Sequence, residues 1–124
     1  PNQEYNVLGI QFKTIRAYNI NKNFHPKENN WLGYLVKINN KWHYIMGDTD
    51  DTLDARNVKC DILFVPIGGV YTMDYNEAAE YTNYIKPKIV IPIHYGSVVG
   101  SYDYADYFKK LVDKNIDVLI KITP

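Results

Sequence analysis

Two short runs of almost unbroken apolar residues, Asp61-Ile-Leu-Phe-Val65 and Lys88-Ile-Val-Ile91, constrain this chain more than any other feature. A strand with one face in water alternates apolar and polar side chains, whereas a run without alternation marks a strand covered on both faces. Such strands belong to parallel sheets, which need helical crossovers between neighbours. The intervening segment supplies one. Asp74 with Glu77 three residues later makes a capping box, opening a helix over 75–85 that Pro87 closes. A second helix is expected after Ser101 or Asp103. There Tyr104, Phe108, Leu111 and Val112 recur at helical spacing as one apolar face, with Asn115 as the stop. Val118-Leu-Ile-Lys-Ile122 is a third strand candidate.

The preceding residues follow a different grammar. Ile10 to Ala17 alternates in its first half as a half-buried strand does, and 18–30 is polar and reads as an exposed loop. Trp31 to Ile38 and Lys41 to Met46 are strand-like, and Asn39-Asn40 between them tolerates the positive φ of a tight antiparallel turn. The expectation is a mixed α/β sheet, with an antiparallel hairpin followed by strand, helix, strand, helix, strand. Two full helices and a short one near 52–56 cover one face of a sheet five or six strands wide. The other face needs cover from elsewhere, either a second copy of this chain or a partner segment.

Composition narrows the classes. At 124 residues and 46% hydrophobic the chain reads as a single domain, 1–124, with a packed core. Fourteen basic residues balance fourteen acidic ones, so no general electrostatic attraction to nucleic acid or an anionic membrane is expected. The apolar runs are too short to span a bilayer. No basic segment with a following apolar stretch opens the sequence, so no signal peptide is expected. The one cysteine, Cys60, permits no internal disulfide and makes a cytoplasmic location the default.

Two residues with chemical potential stand directly after expected strands: Asp48 in Gly47-Asp-Thr-Asp50, and His94 in Ile91-Pro-Ile-His-Tyr-Gly96. In open α/β sheets ligands bind beyond the strand ends, and a carboxylate with a neutral imidazole suits zinc or a similar divalent cation. The plainer account makes Asp48 the cap of the short helix and His94 a satisfied loop histidine. Asp48, Asp50, Thr52 and Asp54 have the alternation of a calcium loop, but Leu53 replaces its glycine and Lys59 its final glutamate. Asp50, Asp51 and Asp54 read instead as a solvated acidic helix start. Gly68-Gly69 lacks the context of a phosphate loop and reads as a turn. Cys60 reads as a small buried hydrophobe and His43 as a surface or packing residue. Tyr71 and Tyr95 lie beside candidate loops. No Gly-x-Ser-x-Gly elbow supports a serine triad.

The order of motifs resembles the second half of a metallo-β-lactamase-fold hydrolase. Ala17-Tyr-Asn19, Phe24-His-Pro-Lys27, Trp31-Leu-Gly-Tyr34 and Gly47-Asp-Thr-Asp50 are followed by Pro66-Ile-Gly-Gly69 with Tyr71-Thr-Met73, and by Pro92-Ile-His-Tyr-Gly96. The likeness is to the small prokaryotic metal-dependent hydrolases related to the lactonase-like members. It implies the C-terminal αβ half of an αβ/βα sandwich, a mixed sheet with helices on one face. It further implies a metal site with Asp48 as bridging carboxylate, His94 as the last histidine ligand, and His25 or Asn19, with His25 favoured, as the middle one. The metal would be zinc, or else manganese or iron. Gly69, Tyr71, Thr72 and Tyr95, in the loops 68–72 and 95–99, would line the mouth for a small-molecule ester, lactone, amide or phosphodiester. The His-x-His-x-Asp-His motif of the family's first half is absent, and the chain has three histidines in all. The isolated chain is therefore expected to lack activity and could lack metal. Its partner would be the missing N-terminal half or a second copy. A non-catalytic dimerising or ligand-binding half is the alternative. A doubly wound signalling domain with Asp48 as phosphoacceptor is disfavoured by the Asn39-Asn40 hairpin.

Overall fold

The computed structural model describes residues 4–7, 10–16, 32–46, 52–69, 72–93, 95 and 102–121. These residues contribute seven strands to one sheet, in the order in which the chain makes them. β1 (Glu4–Val7), β2 (Ile10–Arg16), β3 (Leu32–Ile38) and β4 (Lys41–Ile45) are antiparallel neighbours. β5 (Ile62–Pro66), β6 (Ile89–Ile93) and β7 (Asp117–Val118) then add in parallel to β4. The change of grammar read from the sequence is this change from antiparallel to parallel pairing. At the hairpin Asn39 and Asn40 have φ of 52° and 67°, the conformation that a two-residue turn needs to match the twist of its strands.

Three helices connect the parallel part. α1 (Leu53–Arg56) is capped by Thr52, whose Oγ1 accepts from the Ala55 N–H. α2 (Tyr75–Ile85) carries the full Asp74–Glu77 capping box and ends in a left-handed Lys86. α3 (Asp103–Leu111) begins with Tyr102 at its cap position, which makes no side-chain bond there. Asp103 is thus inside the helix rather than its cap, and Ser101 lies outside the described residues. The helix ends at Leu111, four positions before Asn115. Phe108 and Val112 are buried as expected, but Leu111 is 46% exposed. Among the described residues no helix is long and apolar enough to cross a membrane.

All the helical packing lies on one sheet face. Tyr44, Met46, Leu63, Val65 and Val90 point there and are buried, with Ala78 and Tyr81 of α2 and Phe108 of α3 in the same core. The ladder places Tyr34, Val36, His43, Ile45, Ile62, Phe64, Ile89 and Ile91 on the opposite face. None of these is fully buried. The near-continuous apolar runs therefore feed two faces, and the described helices cover one. At the start of the parallel strands Asp61 ties three of them together. Its N–H donates to Trp42 O (2.9 Å), its Oδ2 accepts from Trp42 N (2.9 Å), and its O accepts from Lys88 N and Ile89 N (2.9 and 3.1 Å).

Candidate functional site

The C-terminal ends of β4, β5 and β6 lie side by side. Met46 N–H donates to Phe64 O at 3.3 Å, and Ile67 N–H donates to Ile93 O at 3.1 Å. Asp48 comes two positions after Met46, and His94 comes next after Ile93. Both lie outside the described residues, as do His25, Asn19 and Tyr71. The described ends of β4 and β6 flank the end of β5, about 10 Å apart at two strand spacings.

Two glycines shape this edge. A Cβ on Gly33 would lie 2.8 Å from Met46 O and 2.9 Å from Ile45 O. β3 and the end of β4 therefore approach more closely than any side chain at 33 would allow. Gly69 has φ of 84°, and its N–H donates to Met73 O (3.1 Å) while Gly68 bridges to Asp74. That closes a tight loop onto the cap of α2. With its amide so engaged, Gly69 serves as the turn residue. Its backbone is exposed, whereas Thr72 and Tyr95 are buried. The Thr72 hydroxyl donates to Met73 O at 3.1 Å.

The short helix α1, which follows the Asp48 segment in sequence, is held by two hydrogen bonds. Thr52 occupies the cap position that the plainer account gave to Asp48. Tyr81 of α2 donates its hydroxyl to Ala55 O at 2.8 Å in the core. Asp54 departs from a solvated helix start, because its Oδ2 is buried without a hydrogen-bond partner among the described residues. Its charge adds to burial and to Cys60 in raising the Tyr44 hydroxyl above the usual tyrosine range. Nothing in the sequence pattern signals this inward-facing carboxylate. Burial, then the Asp61 charge, pushes the Cys60 thiol up to about 12, so it is a packing group and not a nucleophile.

Among the described residues no cluster of three or more His, Cys, Asp or Glu side chains could hold a metal ion. His43 lies mid-strand, two positions before the end of β4, with Nδ1 3.0 Å from Lys41 O. Asp48 and His94 have the right donor chemistry, but a catalytic zinc takes about three protein ligands and a water. The donor set fits a divalent metal in kind and is short in number. A groove of about 520 Å³ between Lys13, Leu35, Trp42, Asp54 and Lys59 lies toward the other end of β4 and is separate from this edge.

Known proteins share this architecture. A family model described as a beta-lactamase superfamily domain matches residues 1–94. A metal-dependent hydrolase of Nanoarchaeum equitans is 36% identical over 71% of this chain and 43% of its own length. One from Pyrococcus abyssi is 29% identical over 92% of this chain and 53% of its own. The crystal structure of a proposed metal-dependent hydrolase from Parabacteroides distasonis superposes with a TM-score of 0.83 at 29% identity, covering 97% of this chain and 55% of that one. The chain thus spans about half the length of the curated relatives it matches. With a mixed sheet covered by helices on one face, ordered strand ends at one edge and a family model that matches most of its length, the chain belongs to the beta-lactamase superfamily.

Proposed function

We propose that this chain forms one side of a metal-dependent hydrolase whose site is completed from outside it. The observation that carries this reading is that Asp48 and His94 follow β4 and β6, whose ends flank that of β5 at one edge of the sheet, in a family whose members here are described as metal-dependent hydrolases. Asp48 and His94 would hold the metal from this side, with His25 as a third ligand. A carboxylate with imidazoles favours zinc, with manganese or iron as alternatives. When bound, such a metal supplies Lewis acidity, which makes a coordinated water nucleophilic at neutral pH and polarises a carbonyl or phosphoryl oxygen. This chain's own residues would orient that metal and frame the mouth. Gly69 lets the loop after β5 turn back sharply and leaves its backbone exposed, and the substrate would be a small molecule with an ester, lactone, amide or phosphodiester bond. The chain alone lacks enough donors and is inactive by itself. The single cysteine, held as a thiol, suits a reducing cytoplasmic setting.

The test is metal content by elemental analysis, with hydrolysis of a panel of such esters, on the complete assembly. Asp48→Asn and His94→Ala should each lower bound metal. Outer-shell partners of metal ligands cost about 10–100-fold in activity, so loss of a ligand should cost at least about 100-fold. Lys110→Ala, at an exposed position of α3, should change neither. Full metal occupancy in both ligand variants would remove these two residues from the site.

A further inference from the structure

The groove of about 520 Å³ lies on the helical side, between α1 and the antiparallel strands. Its lining is apolar where it meets the core. Ile15 and Leu35 of the sheet and Val58 after α1 are buried core members, and the half-buried Trp42 packs against them. Trp42 is held in place. Its N–H donates to Asp61 Oδ2 at 2.9 Å, and Lys37 Nζ lies 5.9 Å from its ring centroid. The volume is that of a small-molecule site, in which apolar walls carry a few placed polar groups. The charged groups divide between two sides. On the β1–β2 side Glu4 and Lys13 neutralise each other at 3.0 Å. On the α1 side Asp54 and Lys59 do not. Among the described residues neither is in an ion pair, and Asp54 Oδ2 is buried without a hydrogen-bond partner.

These groups restrict what the groove can take. A buried carboxylate oxygen without a donor is costly to keep. Asp54 borders the groove, so an occupant that brings an ammonium group relieves it. Lys59, which has no counter-ion, is complemented by a carboxylate. A simple anion would satisfy Lys59 and be repelled by Asp54, and a simple cation would do the reverse. A molecule that carries both groups, with a hydrocarbon part to lie on Ile15, Leu35 and Trp42, gains from all of them. We infer that the groove between α1 and the antiparallel strands binds a free α-amino acid with an apolar side chain, its ammonium group on Asp54 and its carboxylate toward Lys59. This site lies toward the opposite end of β4 from the edge proposed to hold metal, and needs no metal. Asp61, bonded to Trp42 N, also accepts from Lys88 N and Ile89 N. An occupant against Trp42 therefore steadies the start of the parallel strands.

The experiment titrates L-leucine into this chain by calorimetry. Isoamylamine and 4-methylpentanoate, each lacking one of leucine's charged groups, serve as comparisons. The expected result is saturable one-to-one binding of leucine, about tenfold or more tighter than either comparison, the factor that one hydrogen bond to a charged group supplies. Asp54→Asn and Lys59→Met should each weaken leucine by a similar factor, whereas Lys114→Ala, at an exposed position after α3, should leave it unchanged. Hydrogen exchange on the same sample reports that β4 and β5 are folded, and should slow at Trp42 and Asp61 when leucine is bound. Asp54→Asn keeps the size of the side chain, and the comparison compounds test the same point without any substitution. A chain with protected β4 and β5 that binds no leucine overturns the inference. So does a comparison compound that binds as tightly as leucine, or leucine binding indifferent to both Asp54→Asn and Lys59→Met. A chain in which β4 and β5 show no protection overturns it too, because the groove is built on them.

Discussion

Cys60 and Tyr44 show how burial sets the chemistry of single groups in this chain. The Cys60 thiol is raised from an ordinary value of 9.0 to about 12, first by burial and then by the Asp61 charge. A raised acid favours its neutral form when folded, so the unfolded chain loses this proton first as pH climbs. The stabilisation is complete below pH 9 and is lost between pH 9 and about 12. Urea midpoints taken from pH 8 to 10 should fall with a slope of at most about 1.4 kcal/mol per pH unit from this group. Cys60→Ala should flatten that slope. An unchanged profile in Cys60→Ala would assign the alkaline loss to another group. Some residue roles were readable in advance for local reasons. Asn39-Asn40 announces its turn because few residues accept positive φ, and Asp74 with Glu77 announces a helix start. Asp54 was not readable, because the burial of its carboxylate oxygen depends on residues distant in sequence and not on its neighbours along the chain.

Elements whose ends are fixed locally match the sequence reading, and those fixed from afar do not. α2 runs from its Asp74–Glu77 box to Ile85 as its pattern implies. α3 stops at Leu111 because Asn83, on α2, reaches across to it. The Asn83 Nδ2 donates to Leu111 O at 3.0 Å, and its Oδ1 accepts from Asp113 N–H at 2.8 Å. No rule for helix ends read along 103–115 contains that information. β1 escapes notice for a related reason: Glu-Tyr-Asn-Val is only four residues, too short for its alternation to stand out, and its place in the sheet rests on β2, through the Tyr5–Phe12 stack and the 3.0 Å Lys13–Glu4 ion pair. β7 is shorter than the apolar run suggested, with Asp117 and Val118 paired. Asn83→Ala removes both bonds at the α3 end. It should cost about 1–2 kcal/mol in a urea titration, and hydrogen exchange should rise at 112–118 before it rises in β5. Exchange rising uniformly would show that Asn83 supports the whole fold and not this end.

At the scale of the molecule the sheet has two unequal faces. Apolar runs without alternation correctly signalled strands that make two apolar faces, and counting helices correctly left one of them open. The site was legible as an order of motifs that points to one edge of the sheet. Its geometry was not, because the strand order that sets the ends of β4 and β6 on either side of β5 is not a property of adjacent residues. The two faces should also differ in what they contribute to stability. Leu63 on the helical face is fully buried, and Leu63→Ala should cost about 2–5 kcal/mol through lost transfer energy and a cavity. Ile45 on the open face is 40% exposed, so Ile45→Ala should cost less than about 1 kcal/mol in the same chain, close to the range of surface substitutions. Both are read as shifts in the urea midpoint at constant slope. Equal costs would mean that the open face is already packed within this chain. A large cost at Leu63 with a small one at Ile45 would mean that the half folds around its helices alone and leaves the apolar surface of the other face available for association.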